Sequence, residues 1–279
     1  MKARKLITPL KATFLGFSAL ALIAGMQLFV FAGQTDELFS WTIEPPLTAA
    51  FLGALYWAAF VLIIWAATRE TWAEARPTAY PVLVIASLLL IATLIHIDKF
   101  DLDSIFGWFW VVAYAAVCPL LVALYALQLR APGADLKGDR ALPGPLRAVL
   151  ALEAALLLAA GAVLYLVPNT AADLWPWALS PLTSMAMGAF VLGIGFTAAV
   201  AVRENDLDSF RGAAYAYTVL GSLELLAVAI HSGDLGDDGL ATAVYVVCLV
   251  AILLTGIYAS LAAGASGSAS RASSASSRS

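Results

Sequence analysis

The chain is 279 residues long, 62% hydrophobic and only 12% charged, with a mean hydropathy of +0.89. A soluble domain carries about a quarter charged residues, and no water-soluble fold of this size hides so much apolar surface. Composition therefore excludes a water-soluble fold and gives no sign of a nucleic-acid partner; the partner it implies is the lipid bilayer.

About 20 apolar residues are needed per membrane helix, and scanning in chain order gives eight such runs: 13–33, 47–68, 79–97, 105–129, 146–167, 181–202, 212–231 and 239–263. The fold class is an all-α integral membrane protein with eight transmembrane helices. Before the first run lie Lys2, Arg4, Lys5 and Lys11. Its apolar stretch exceeds the roughly 7–15 residues of a signal-peptide core, so it is a span. Pro46 opens the second run and Pro181 the sixth, where a missing N–H is harmless. Just inside lie Ala49-x-x-x-Gly53 and Ser184-x-x-x-Gly188, small residues four apart that let helix backbones approach closely in lipid; both spans are expected to pack tightly. Pro119 is expected to kink the fourth span. From Gly264 a Ser/Ala-rich tail, 264–279, has the composition of a disordered segment.

The two halves resemble each other. WTIEPPLTAAFLGA from Trp41 aligns with WALSPLTSMAMGA from Trp177, and Arg76, Tyr80, Ser87 and His96 fall in register with Arg211, Tyr215, Ser222 and His231. Upstream, Lys11 and Gly25 correspond to Arg147 and Gly161. This register predicts two tandem four-helix repeats, 1–135 and 136–263. Each has an even number of spans, so the repeats are parallel and related by an axis along the membrane normal.

Fourteen of the fifteen Lys and Arg residues fall on one side of the predicted topology, the side of both termini; the exception is Lys99. The positive-inside rule makes that side cytoplasmic, in the plasma membrane of a bacterium. The other side carries ten acids, among them Asp36, Glu44 and Asp234, a rim that attracts cations. Trp41, Trp108, Trp110, Trp175 and Trp177 are placed as an aromatic belt at that interface.

Five residues are candidates for chemistry. The only two histidines, His96 and His231, end the third and seventh spans. As a symmetric pair they suit a haem iron or another transition metal, or a proton relay; histidines at the headgroup level are also inexpensive. Tyr217, Glu224 and His231 are spaced by sevens and form a stripe on one helix face. Glu224 is the outstanding member, because a carboxylate at that depth costs about 2.5–3.5 kcal/mol on insertion scales and must face the bundle interior. Glu153, in the fifth span, is the other intramembrane acid. Counted along the helices, Glu153, Glu224 and His231 lie at successive depths roughly 9–10 Å apart, a spacing that suits a proton or cation route. The first repeat has Leu89 where the second has Glu224, so Glu224→Leu is expected to be more stable than the parent if the acid serves a relay.

No nucleotide-binding, zincin or redox-dithiol motif occurs, and nothing points to an enzyme. Three readings stand: a small transporter or permease for a small solute or cation, coupled to protons or cations; a membrane redox protein holding haem or metal through His96 and His231; and a non-catalytic membrane partner or assembly protein. Fold alone does not choose among them.

Overall fold

The computed structural model describes residues 2–136, 138 and 140–276, with side chains as far as 264. The chain is 81% helical, with no strand among the described residues. Eight helices are long: α1 (Thr8–Val30), α2 (Pro46–Ala67), α3 (Trp72–Ile95), α4 (Ile105–Arg130), α5 (Gly144–Leu166), α6 (Pro181–Glu204), α7 (Leu207–Ile230) and α8 (Gly239–Ser276). Each is long and apolar enough to cross a membrane, α8 through Gly239–Gly264. The tail 264–279, expected to be unstructured, overlaps the end of α8, whose backbone is helical as far as Ser276; its side chains beyond 264 and residues 277–279 lie outside the described residues.

Helix beginnings follow local chemistry. Pro46 and Pro181 occupy the first turns of α2 and α6, as their position in the sequence predicts. Ser180 caps α6 by accepting the Thr183 N–H, and Asp206 caps α7 by accepting that of Asp208. α1 and α7 each start five residues before their apolar runs, and the largest difference at a helix beginning is in α3, which starts seven residues before the run at 79. A capping box explains it: the Thr71 hydroxyl accepts the Glu74 N–H and the Glu74 carboxylate accepts the Thr71 N–H, satisfying two free donors at once. Those first turns contain Glu74, Arg76 and Pro77, which hide a helix from a hydropathy scan. Pro77 and Pro81 both lie inside α3, each giving up one helix bond.

α2 and α6 are the inner helices, with 67% and 72% of their apolar windows buried, against 28–33% for α1, α4, α5 and α8. The closest pairings are α1 with α2 and α5 with α6. The small residues of α2 and α6 serve these pairings and not a contact with each other. A Cβ on Gly53 would meet the backbone of Leu28 and Phe29 in α1, and one on Gly188 would meet Gly161, Leu164 and Tyr165 in α5. The halves interlock reciprocally: α2 packs on α7, and α3 on α6.

At the end carrying the N-terminus, residues 2–7 form a strap. The Arg4 N–H donates to the Ala134 carbonyl and the Arg4 carbonyl accepts from Trp72 N–H, both at 2.9 Å. Gln128, fully buried at the end of α4, clamps the strap from both sides: its amide donates to the Lys5 carbonyl and accepts from the Ile7 N–H.

Candidate functional site

The acids lie inside the second half, among α5, α7 and α8. Glu224 of α7 has no solvent exposure. One carboxyl oxygen accepts a 3.1 Å bond from the Tyr245 hydroxyl of α8, and the other is buried without a partner. Glu153 of α5 repeats the arrangement nearer the other end of the bundle: one oxygen accepts from the Thr255 hydroxyl of α8 at 2.7 Å, and the other has no partner. Counting residues from the ends of α7 and α5, Glu224 lies about 9 Å from the acidic end and Glu153 about 13 Å from the basic end. Among the described residues, no Lys or Arg forms an ion pair with either acid.

Tyr217 of α7 faces the junction of α2, α3, α6 and α7. It is buried and donates to the Ile194 carbonyl of α6 at 3.3 Å. It also lines a cavity of about 50 Å³ enclosed by α2, α3, α6 and α7. Three of the four residues proposed as a relay, Glu153, Tyr217 and Glu224, are thus interior. The fourth, His231, is half-buried at the end of α7, about two turns of helix beyond Glu224, and no hydrogen bond links it to the Glu224–Tyr245 pair among the described residues.

The histidines are matching helix caps. His96 ends α3 with φ −116° and ψ 33°, His231 ends α7 with φ −109° and ψ 32°, and a single 3-10 turn follows each. No hydrogen bond joins the two imidazoles, and no group of three or more His, Cys, Asp or Glu converges among the described residues.

Two partners escaped the sequence reading, Tyr245 and Thr255. Both belong to the buried stripe of α8, Tyr245–Leu249–Ile252–Thr255–Ala259–Ala263, whose helical spacing is visible in the sequence. What the sequence does not show is that this stripe faces α5 and α7. The expected aromatic belt also requires correction. Trp108 is exposed as a belt residue should be, but Trp41, Trp110 and Trp177 are buried and Trp175 half-buried. They form two internal aromatic clusters, because ring edges pack favourably on ring faces. In one, Trp41 meets Trp110 at 5.0 Å and 81°. In the other, Trp177 meets Tyr245 at 5.2 Å and 77°, which orients the hydroxyl that bonds Glu224. The Trp177 indole N–H donates across to Thr48 of α2 at 2.7 Å.

The two ends of the bundle differ. At the acidic end a vestibule of about 790 Å³ lies between loops of both halves, lined by Asp36, Glu44, Ser180 and Asp234 among others. Asp234 also accepts the Leu47 N–H at the start of α2, a cap supplied by the other half. Lys99, the basic residue of this end, pairs with Asp98 at 3.1 Å, and that bond holds the Asp98 carboxyl below its ordinary value. At the basic end, ion pairs bridge the elements. Arg76 of α3 pairs with Glu204 of α6 at 2.8 Å, and Asp135 bridges Arg4 and Arg76 at 3.4 and 3.6 Å.

Fold and site together define a multi-pass α-helical membrane protein with two carboxyls buried in its interior. In comparison with known proteins, the chain matches no family profile, no curated sequence and no solved structure.

Proposed function

We propose that this protein is a small secondary transporter or permease for a small solute or cation, coupled to protons or cations that bind at Glu224 and Glu153. The observation that carries the reading is the pair of buried carboxyls, each held by one α8 hydroxyl and each with one oxygen free of any protein partner. Buried acids without a fixed counter-charge are costly in a membrane, and their usual return is an ion or proton route.

The proposal includes the duplication. In-register residues in the two sequence halves, together with the exchange of α2–α7 and α3–α6 contacts, support two parallel four-helix units related by an axis along the membrane normal. Alternating access would then rock one unit against the other. An open vestibule at the acidic end and the Arg76–Glu204 pair bridging α3 and α6 at the basic end are what one extreme of that motion requires. The Lys/Arg asymmetry supports a cytoplasmic basic end and a bacterial plasma membrane.

Orientation is checked by single cysteines in a variant lacking Cys118 and Cys248. Positions 36, 101, 173 and 237 are expected to react with an impermeant thiol reagent on intact cells, and 140 and 208 only after permeabilisation. Labelling of 140 from outside overturns the orientation. The transport reading is tested with proteoliposomes on a solid-supported membrane, challenged by pH jumps combined with small organic cations and neutral solutes. Protein-dependent transient currents are expected, larger with the pH gradient than without it. Absence of any current above that of protein-free liposomes, across both solute classes, overturns the reading.

A further inference from the structure

A second site, independent of the transport reading, lies in the first half. α1 and α4 touch only slightly, and between them a cavity of about 180 Å³ reaches back to α2, α3 and Phe190 of α6. Along α1 it extends from Phe17 to Gln27, and along α4 from Phe106 to Val117, about 15 Å in each case at 1.5 Å per residue. It is a slot parallel to the helices, running from the acidic end toward mid-membrane.

Its polarity is graded. Gln27 and Ser40 stand at the acidic end; deeper, the walls are hydrocarbon and aromatic apart from Tyr56 and Tyr114, whose hydroxyls bond each other at 2.9 Å. The other polar groups are also engaged: the Gln27 amide donates to the Leu38 carbonyl and the Ser40 hydroxyl to the Phe106 carbonyl. Water needs two to four polar partners to occupy a cavity and finds few here. An empty slot of this size forfeits dispersion contacts along its whole wall. The mouth is flanked by exposed Leu20, Ile23 and Phe109, which in a membrane-spanning bundle face acyl chains. A helix of a second copy, about 10 Å across, is too thick to enter. Between α5 and α8, by contrast, the Glu153–Thr255 bond spans the gap.

We propose that this slot holds the hydrocarbon chain of one bilayer lipid from the leaflet at the acidic end, with the lipid's polar group beside Gln27 and Ser40. The test uses the full-length protein in nanodiscs containing phosphatidylethanolamine with a diazirine midway along one acyl chain. After irradiation and peptide mapping, adducts are expected on the inner wall, at Ala21, Tyr56 or Tyr114, as well as on lipid-facing Leu152. Ala24→Phe and Ala113→Leu, which fill the slot, are expected to reduce inner-wall adducts several-fold and leave those at Leu152 unchanged. Wild-type adducts confined to exposed positions overturn the proposal whether or not the variants fold. Inner-wall adducts that persist in both folded variants also overturn it, as does native mass spectrometry showing retention of a small molecule other than a lipid.

Discussion

Gly188→Leu is expected to abolish the folded bundle, while Gly16→Leu leaves it intact. A Cβ at Gly188 would stand 2.8 Å from the Tyr165 nitrogen and 3.0 Å from both the Gly161 carbonyl oxygen and the Leu164 Cβ. Facing it, a Cβ at Gly161 would stand 2.7 Å from the Leu192 nitrogen. The obstacles are mostly main chain, so no rotamer change relieves the clash; α5 and α6 must separate. Overpacking an ordinary core costs about 1–3 kcal/mol, in sites where side chains can yield. Here they cannot, and separation also forfeits the van der Waals contacts that hold helices together where lipid supplies no hydrophobic drive. Gly16 has nothing within 4 Å of its would-be Cβ, so leucine there meets only lipid. Thermal unfolding in detergent, followed by size-exclusion profile, reads the difference. A Gly188→Leu protein that is monodisperse and melts near the parent would refute the close-approach account of this seam.

The tight packing of α2 and α6 is legible in the sequence, and the helices they pack against are not. Ala49-x-x-x-Gly53 and Ser184-x-x-x-Gly188 mark faces where backbones come close, and they do. A small-residue motif gives the distance of approach, however, and not the identity of the partner, which for both helices is the preceding span of the same half. Helix number and most boundaries were legible because hydrocarbon thickness imposes a length on every span. α3 was truncated because its capping box, Arg76 and Pro77 look like loop to a hydropathy scan. Glu224 was legible as an interior residue because a carboxyl facing lipid is too costly. Tyr245 and Thr255 were not, since a hydroxyl on an apolar helix is inexpensive on any face and so carries little positional information. The same weakness explains Trp41, Trp110 and Trp177: tryptophan suits both an interfacial belt and an internal ring cluster.

The Tyr245 bond changes what Glu224 variants should do. The sequence, with Leu89 at the matching position, predicts that Glu224→Leu is more stable than the parent if the acid serves a relay. In the structure, that variant leaves the Tyr245 hydroxyl buried without its acceptor, a loss of about 1–3 kcal/mol. Combining it with Tyr245→Phe removes both partners and leaves an apolar pair, which is expected to match or exceed the parent, because replacing a buried polar pair as a unit is often neutral or favourable. Glu224→Gln retains the shape and an acceptor for Tyr245, so it is expected to melt within a few degrees of the parent. It cannot release a proton, and in the proteoliposome assay its pH-driven current is expected to vanish. These outcomes separate two roles. A relay acid gives a stable, silent Gln variant and a double variant that is stable and equally silent. A purely structural acid gives an active Gln variant, and a double variant that keeps its activity as long as the bundle folds. Melting curves for the four proteins settle the energetic half before any substrate is known, and an active Glu224→Gln protein would end the relay proposal.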